Sequence, residues 1–346
     1  MFNFFRKEKR GQGMNAVVLC EQGIAYACIQ RNAGQPPTLS SLHFSELDNK
    51  AKTAAALKQL VKDFQLEDKE ITTSLLIADS KLVMLEKPEV ADEELRQAVR
   101  WKVKDSLPFD INDAIVDVFE IPGQKERGRT PLVYITAAEK EFLKQKIKTF
   151  EEQDLDISSI DIAELVMRNI AALLPEDQQG VALLKLEPNQ GLITLTQDSS
   201  LYLARNIDVG YSSLGANTNT SILGEMPAEG DGLAFEQEMS PEQQRSLDAI
   251  VLEVQRSLDY YESHFAKLAI NSLVIAPLPH EVPGLVNYLA GSLGLQVRML
   301  DLNAVLDMPQ PVSEEQQAKS FFAIAAALRE TVLPAQLQEP NKGKAA

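Results

Sequence analysis

A three-strand meander followed by helices occurs twice along this chain, and that duplication limits the fold more than any other feature. The first copy opens with the strand-like runs Ala16–Cys20, Ile24–Ile29 and Thr38–Phe44. Glu21-Gln22-Gly23 makes the first connection tight, and Asn32–Pro37 makes the second loose. A helix is predicted over Lys50–Phe64, because Ala54, Leu57, Leu60, Val61 and Phe64 recur at helical spacing. Thr73–Ile77 then reads as a buried strand. The second copy runs through Val181–Lys185, Leu192–Gln197 and Leu201–Asp208. After the polar, Gly-containing stretch Ser213–Met239 comes a long helix. Ser240 caps it, Pro241 takes its first position and Gln243 completes a capping box. Leu273–Ile275, Gly284–Leu293, Gln296–Met299 and Ala318–Arg329 follow as strand, helix, strand and helix.

A compact β-α-β-β-α unit, Lys81–Leu155, interrupts the first copy. Its helix starts with Asp92, Glu93 and Glu94 and ends with Lys102 and Lys104, charges that suit the helix dipole at both ends. Leu107-Pro108 stops it. Ala114–Ile121 and Leu132–Thr136 read as strands and Lys140–Glu152 as a helix. Ile157–Ile160 and the helix Ile162–Leu174, ended by Pro175, return to the interrupted copy. The β-β-β-α-β opening resembles one lobe of an RNase H-like fold. The expected architecture is therefore α/β and duplicated. Residues 14–80 with 156–180 form a first lobe, 81–155 an inserted α+β domain, and 181–332 a second lobe, between flexible tails at 1–13 and 333–346.

A chain of 346 residues has room for two to three such units. Its net charge of −16 argues against nucleic acid as a partner, which needs a basic face. No apolar run approaches the roughly 18–20 residues of a membrane span. Two cysteines, Cys20 and Cys28, are too few for a disulfide framework. The opening segment Met1–Arg10 combines Phe2, Phe4 and Phe5 with Arg6, Lys7, Lys9 and Arg10. No apolar stretch follows those charges as a secretory signal requires. A disordered terminus and a weak anchor on anionic lipid are both open readings. The search for catalysis is negative. His43, His264 and His280 form no HExxH pattern, and the cysteines sit at no zinc spacing. Gly11–Ala16 matches GxGxxA but precedes the first strand, whereas a dinucleotide fingerprint follows one.

Glu94–Ile121 (ELRQAVRWKVKDSLPFDINDAIVDVFEI) resembles the PilM family of type IV pilus assembly proteins, which places a helix, a Pro-Phe turn and an acidic strand at this point. Leu155–Leu174, Val254–Tyr260 and Val282–Leu300 fit the same family in order. The resemblance spans roughly residues 14–330 and looks nearest to the branch that serves the MSHA pilus. It implies an actin-like (FtsA-like) fold of two RNase H-like lobes with a small domain inserted in the first. It also implies a cytoplasmic assembly protein, peripheral to the inner membrane, that works with other pilus components. Its partner would be the N-terminal peptide of a PilN-like bitopic membrane protein, held in a groove between the first lobe and the insert.

Actin-like ATPases hold nucleotide on three loops, and the resemblance allows each to be inspected. The first phosphate loop of the family is Asp-Ile-Gly-Ser-Ser; here the strand ends in Cys20-Glu21-Gln22-Gly23. The second supplies a carboxylate for magnesium; here the aligned run begins Lys185-Leu186-Glu187-Pro188, so an amine replaces it. The third is Gly-Gly; here Ala276-Pro277-Leu278-Pro279-His280 stands in its place, and proline removes backbone donors. The expectation is a degenerate, non-catalytic site with no cofactor and no metal, the alternative being an actin-like ATPase with an atypical site. The expected partner-binding residues are Trp101, Leu107, Pro108 and Phe109. For Trp101, the only tryptophan, burial under a second element is the commoner outcome for so large a ring. The functional reading places it on the wall of the peptide groove.

Overall fold

The computed structural model describes residues 13–122, 124, 130–215, 240–265 and 269–329. The first copy forms β1 (Met14–Leu19), β2 (Gly23–Gln30), β3 (Thr38–Glu46), α1 (Thr53–Phe64) and β4 (Glu70–Ser74). The insert follows as β5 (Lys81–Glu86), α2 (Asp92–Lys102), β6 (Ala114–Glu120), β7 (Leu132–Glu139) and α3 (Lys140–Glu151). Then come β8 (Asp156–Asp161) and α4 (Ala163–Ala171). The second copy is β9 (Val181–Leu186), β10 (Gly191–Gln197), β11 (Ser200–Ile207), α5 (Pro241–Phe265), β12 (Ser272–Ile275), α6 (Leu285–Leu293), β13 (Gln296–Met299) and α7 (Glu314–Ala327).

Two five-stranded sheets share one topology, in the orders β3-β2-β1-β4-β8 and β11-β10-β9-β12-β13. In each, three antiparallel strands are extended by two parallel ones. The central strand β9 is buried along its whole length, and its run VALLKL is apolar at every position but one, as a strand covered on both faces demands. The tight β1–β2 turn depends on Gly23, because a Cβ there would meet the Ser45 carbonyl on β3.

Two elements are shifted by most of a turn or more from the sequence reading. The strand expected at Thr73–Ile77 is β4, Glu70–Ser74, because parallel pairing of Asn15 with Ile71 and Ala16 with Thr72 sets its register. The last helix starts at Glu314, one turn before Ala318, since the Ser313 side chain accepts from the Gln316 amide. Most of the expected loop Ser213–Met239 lies outside the described residues.

The helices between the sheets are exchanged. α4, which follows the last strand of the first sheet, packs on β9, β10 and β11 of the second; α7, at the end of the second copy, covers β1–β4 of the first. Such a crossing explains why α7 is buried on nearly every side from Gln317 to Ala327, as an almost uniformly apolar helix must be. Asn169 Nδ2 donates to the Ala325 carbonyl at 3.1 Å where the two helices meet. One apolar core, from Ala16 and Ala27 through Ile170 and Phe321 to Leu183 and Val274, joins both sheets.

The insert is a three-stranded antiparallel sheet in the order β5-β7-β6. Leu95 and Val99 of α2, with Val103 just beyond it, cover one face, against Val116, Val133 and Ile135. The other face lies on the second lobe: Tyr134 Oη donates to the Tyr202 carbonyl on β11 at 2.9 Å, beside Leu82, Met84 and Phe119.

Candidate functional site

The cleft between the lobes lies where the β1–β2 and β9–β10 turns face each other, and it is almost full. Cys20, Glu21 and Gln22 line it from the first lobe, Lys185, Glu187, Pro188, Tyr211 and Pro279 from the second, and Lys319 and Phe322 from α7. The space left is about 50 Å3. Sites for small organic ligands run to roughly 300–1,000 Å3, whereas a water in liquid occupies about 30 Å3.

Its chemistry is that of neutralised charge. Lys185 is 2% exposed. Its Nζ lies 3.1 Å from Glu187 Oε1 and donates to the Leu186 carbonyl at 3.3 Å. The Phe321 ring lies beneath it, 5.4 Å away. Lys319 pairs with Glu315 at 2.8 Å and Glu46 at 3.5 Å and sits over the Phe44 ring. Lys146, buried on α3, meets Asp79 at 3.2 Å. Burial, reinforced by the Glu187 charge, pushes the Cys20 thiol up to about 12, so it stays a thiol at neutral pH.

The third loop is drawn into the protein. The Ala276 amide donates to the Leu184 carbonyl at 2.8 Å, Pro277 and Pro279 offer no donor, and the His280 ring packs edge-on to Tyr211. Gly210 lets the chain pass close behind Pro188, since a Cβ there would run into the Pro188 backbone. These cleft residues do not fit a magnesium-bound phosphate chain. An ammonium stands where the family resemblance places the carboxylate, its charge is already answered, and about 50 Å3 is left beside it; a separate cavity of about 430 Å3 lies on the third loop, lined by Pro277, His280, Leu285 and Met299. Among the described residues no group of three or more His, Cys, Asp or Glu side chains is placed to hold a metal ion.

The four residues expected to bind a partner lie at the far end of α2. Trp101 is 61% exposed, so the expectation of a buried ring is corrected. It follows Val99 by two positions, about 200° around the helix, and Val99 is the residue that faces the insert sheet. Leu107 and Phe109 are half-buried against the α2–β6 core, and Pro108 is exposed. The sequence reading did not find the packing of the insert on the second lobe or the roles of Tyr134, Lys146 and Lys319. Their partners are distant in sequence, and no local pattern marks them.

A two-lobed actin-like fold with a small inserted domain and a closed, charge-neutralised cleft defines the class. The chain belongs to the family of type IV pilus assembly protein PilM, which its sequence matches over residues 16–331. Among solved structures it is similar to the PilM–PilN type IV pilus biogenesis complex, with 16% identity, a TM-score of 0.67, and 91% of this chain and 98% of that chain covered. It is also similar to the cytoplasmic domain of Epsl, an inner membrane component of the type II secretion system of Vibrio cholerae. There identity is 12%, the TM-score 0.46, and coverage 92% of this chain and 98% of that one. No curated protein matches it in sequence.

Proposed function

We propose that this chain is a non-catalytic, MshI-like assembly component of an MSHA-type pilus machine, held at the cytoplasmic face of the inner membrane by a PilN-like bitopic protein. The observation that carries the non-catalytic reading is the cleft, where Lys185, Lys319 and Phe322 crowd the space between the β1–β2 and β9–β10 turns that the resemblance assigns to phosphate and magnesium. Family membership supports the pilus assignment. The likeness to a PilM–PilN complex supports a partner of the PilN kind. No helix among the described residues is long and apolar enough to cross a membrane, and in this reading the partner supplies the membrane attachment. An extended peptide from its cytoplasmic N-terminus would gain main-chain hydrogen bonds and side-chain pockets along the insert. The net charge of −16 suits the basic flanks such segments carry on the cytoplasmic side.

Recovery of a tagged full-length chain from membranes, with identification of the accompanying protein, tests the reading; recovery without a bitopic partner would overturn it. Trp101→Ala tests the expected anchor. The ring is solvent-exposed, so its removal should change the melting temperature little. Loss of an anchoring tryptophan should lower partner affinity at least thirtyfold, or about 2 kcal/mol. A variant that recovers the partner as well as the parent does removes Trp101 from the interface.

A further inference from the structure

Among the described residues, the least satisfied acidic side chain of the core lies at the seam between insert and body. Glu164 stands in the first turn of α4, 3% exposed, and its Oε2 has no hydrogen-bond partner. Around it three parts of the protein meet. Ile162, just before α4, and Leu165 on it pack against Leu75 and Ile160 of the first lobe and Leu82, Phe119 and Ala138 of the insert. Tyr134 of the insert, which feels the Glu164 charge, reaches across to the Tyr202 carbonyl of the second lobe.

We propose that Glu164 is a protonation-controlled latch that holds the inserted domain against the two lobes. A neutral carboxyl fits an apolar seam, whereas a buried carboxylate needs a counter-charge or several donors. The charged and titratable groups that face the seam supply little. The residue's own backbone amide favours the carboxylate, and Lys81 at the start of β5 adds a smaller effect from a distance. Tyr134 of β7 stays protonated because burial raises its pKa, and Tyr260 of α5 adds to that. On α4 itself Arg168 donates to Asn169 Oδ1 at 2.9 Å. Arg329, beyond α7, is engaged by Asp161 at 2.6 Å. Desolvation accordingly dominates and lifts the Glu164 carboxyl from its ordinary 4.5 to about 7.

The sign follows from linkage. A carboxyl whose pKa is raised by docking favours the docked state fully while protonated. That advantage declines as pH rises above the undocked value and is gone once pH passes the docked one. Between pH 6 and 8.5 the docking equilibrium should weaken about tenfold. If the partner peptide runs along the insert, the latch also sets the width of its groove. That consequence rests on the reading above, whereas the latch is tested on the chain alone.

Hydrogen exchange of the full-length protein at pH 6.0 and 8.5, corrected for intrinsic rates, provides the test. Protection of the β7 amides should fall about tenfold at the higher pH relative to those of β9. Glu164→Gln should abolish the difference. Lys81→Ala, at an exposed position where folding is not at risk, should raise the pH at which protection declines. Equal relative protection at the two pH values in the parent, a pH response that survives Glu164→Gln, or an unmoved midpoint in Lys81→Ala would each overturn the latch.

Discussion

Phe321→Ala should lower the unfolding free energy by about 3–5 kcal/mol, as removal of a fully buried ring does. The side chain is 0% exposed and belongs to the core that spans both sheets. It also supports the Lys185 ammonium and meets Phe322 edge-on, with ring centroids 5.6 Å apart. Because α7 covers the first sheet while α4 covers the second, neither lobe owns its core. Urea denaturation of the variant should therefore show one transition at lower midpoint, with both lobes failing together. Two separated transitions, one lobe unchanged, would contradict the shared core.

Lys185→Asp should be nearly as damaging, at about 3–5 kcal/mol, because it buries a carboxylate without a counter-charge beside Glu187. Lys185→Met should cost less than about 1.5 kcal/mol. Methionine keeps the length of the stem, and Glu187, with a quarter of its side chain exposed, rehydrates when its partner is lost. The pair of variants separates two roles for the lysine. If the ammonium only neutralises Glu187 in a closed cleft, methionine is tolerated and magnesium does not rescue aspartate. Recovery of Lys185→Asp stability in millimolar magnesium would mean that the cleft keeps a working cation site.

Local chemistry made parts of this fold legible. The start of α5 follows from its cap alone, and the Gln243 amide does donate to Ser240 Oγ, at 3.1 Å. The two meanders follow from alternating runs and tight turns such as Glu21-Gln22-Gly23. What failed depends on distant partners. The register of β4 is set by β1, and the sheet that α7 covers is set by the crossing with α4; neither is written in the segments themselves. The expected burial of Trp101 failed for a related reason: size favours burial, yet position on α2 decides it. In the site, the residues of the three nucleotide loops could be read from the family resemblance. Their blockage by Lys319 and Phe322 could not, because α7 arrives from the far end of the chain. Glu164 gave no signal at all, since an acid in a first helical turn is ordinary. Only its burial sets it apart.

The central proposal is that the cleft is a joint between lobes and not a nucleotide site. Calorimetric titration of the full-length protein with ATP and magnesium tests this most directly. The account predicts no binding heat and no stabilisation at millimolar ATP. A dissociation constant below about 100 μM, which would stabilise the fold by more than about 1 kcal/mol at that concentration, would contradict it.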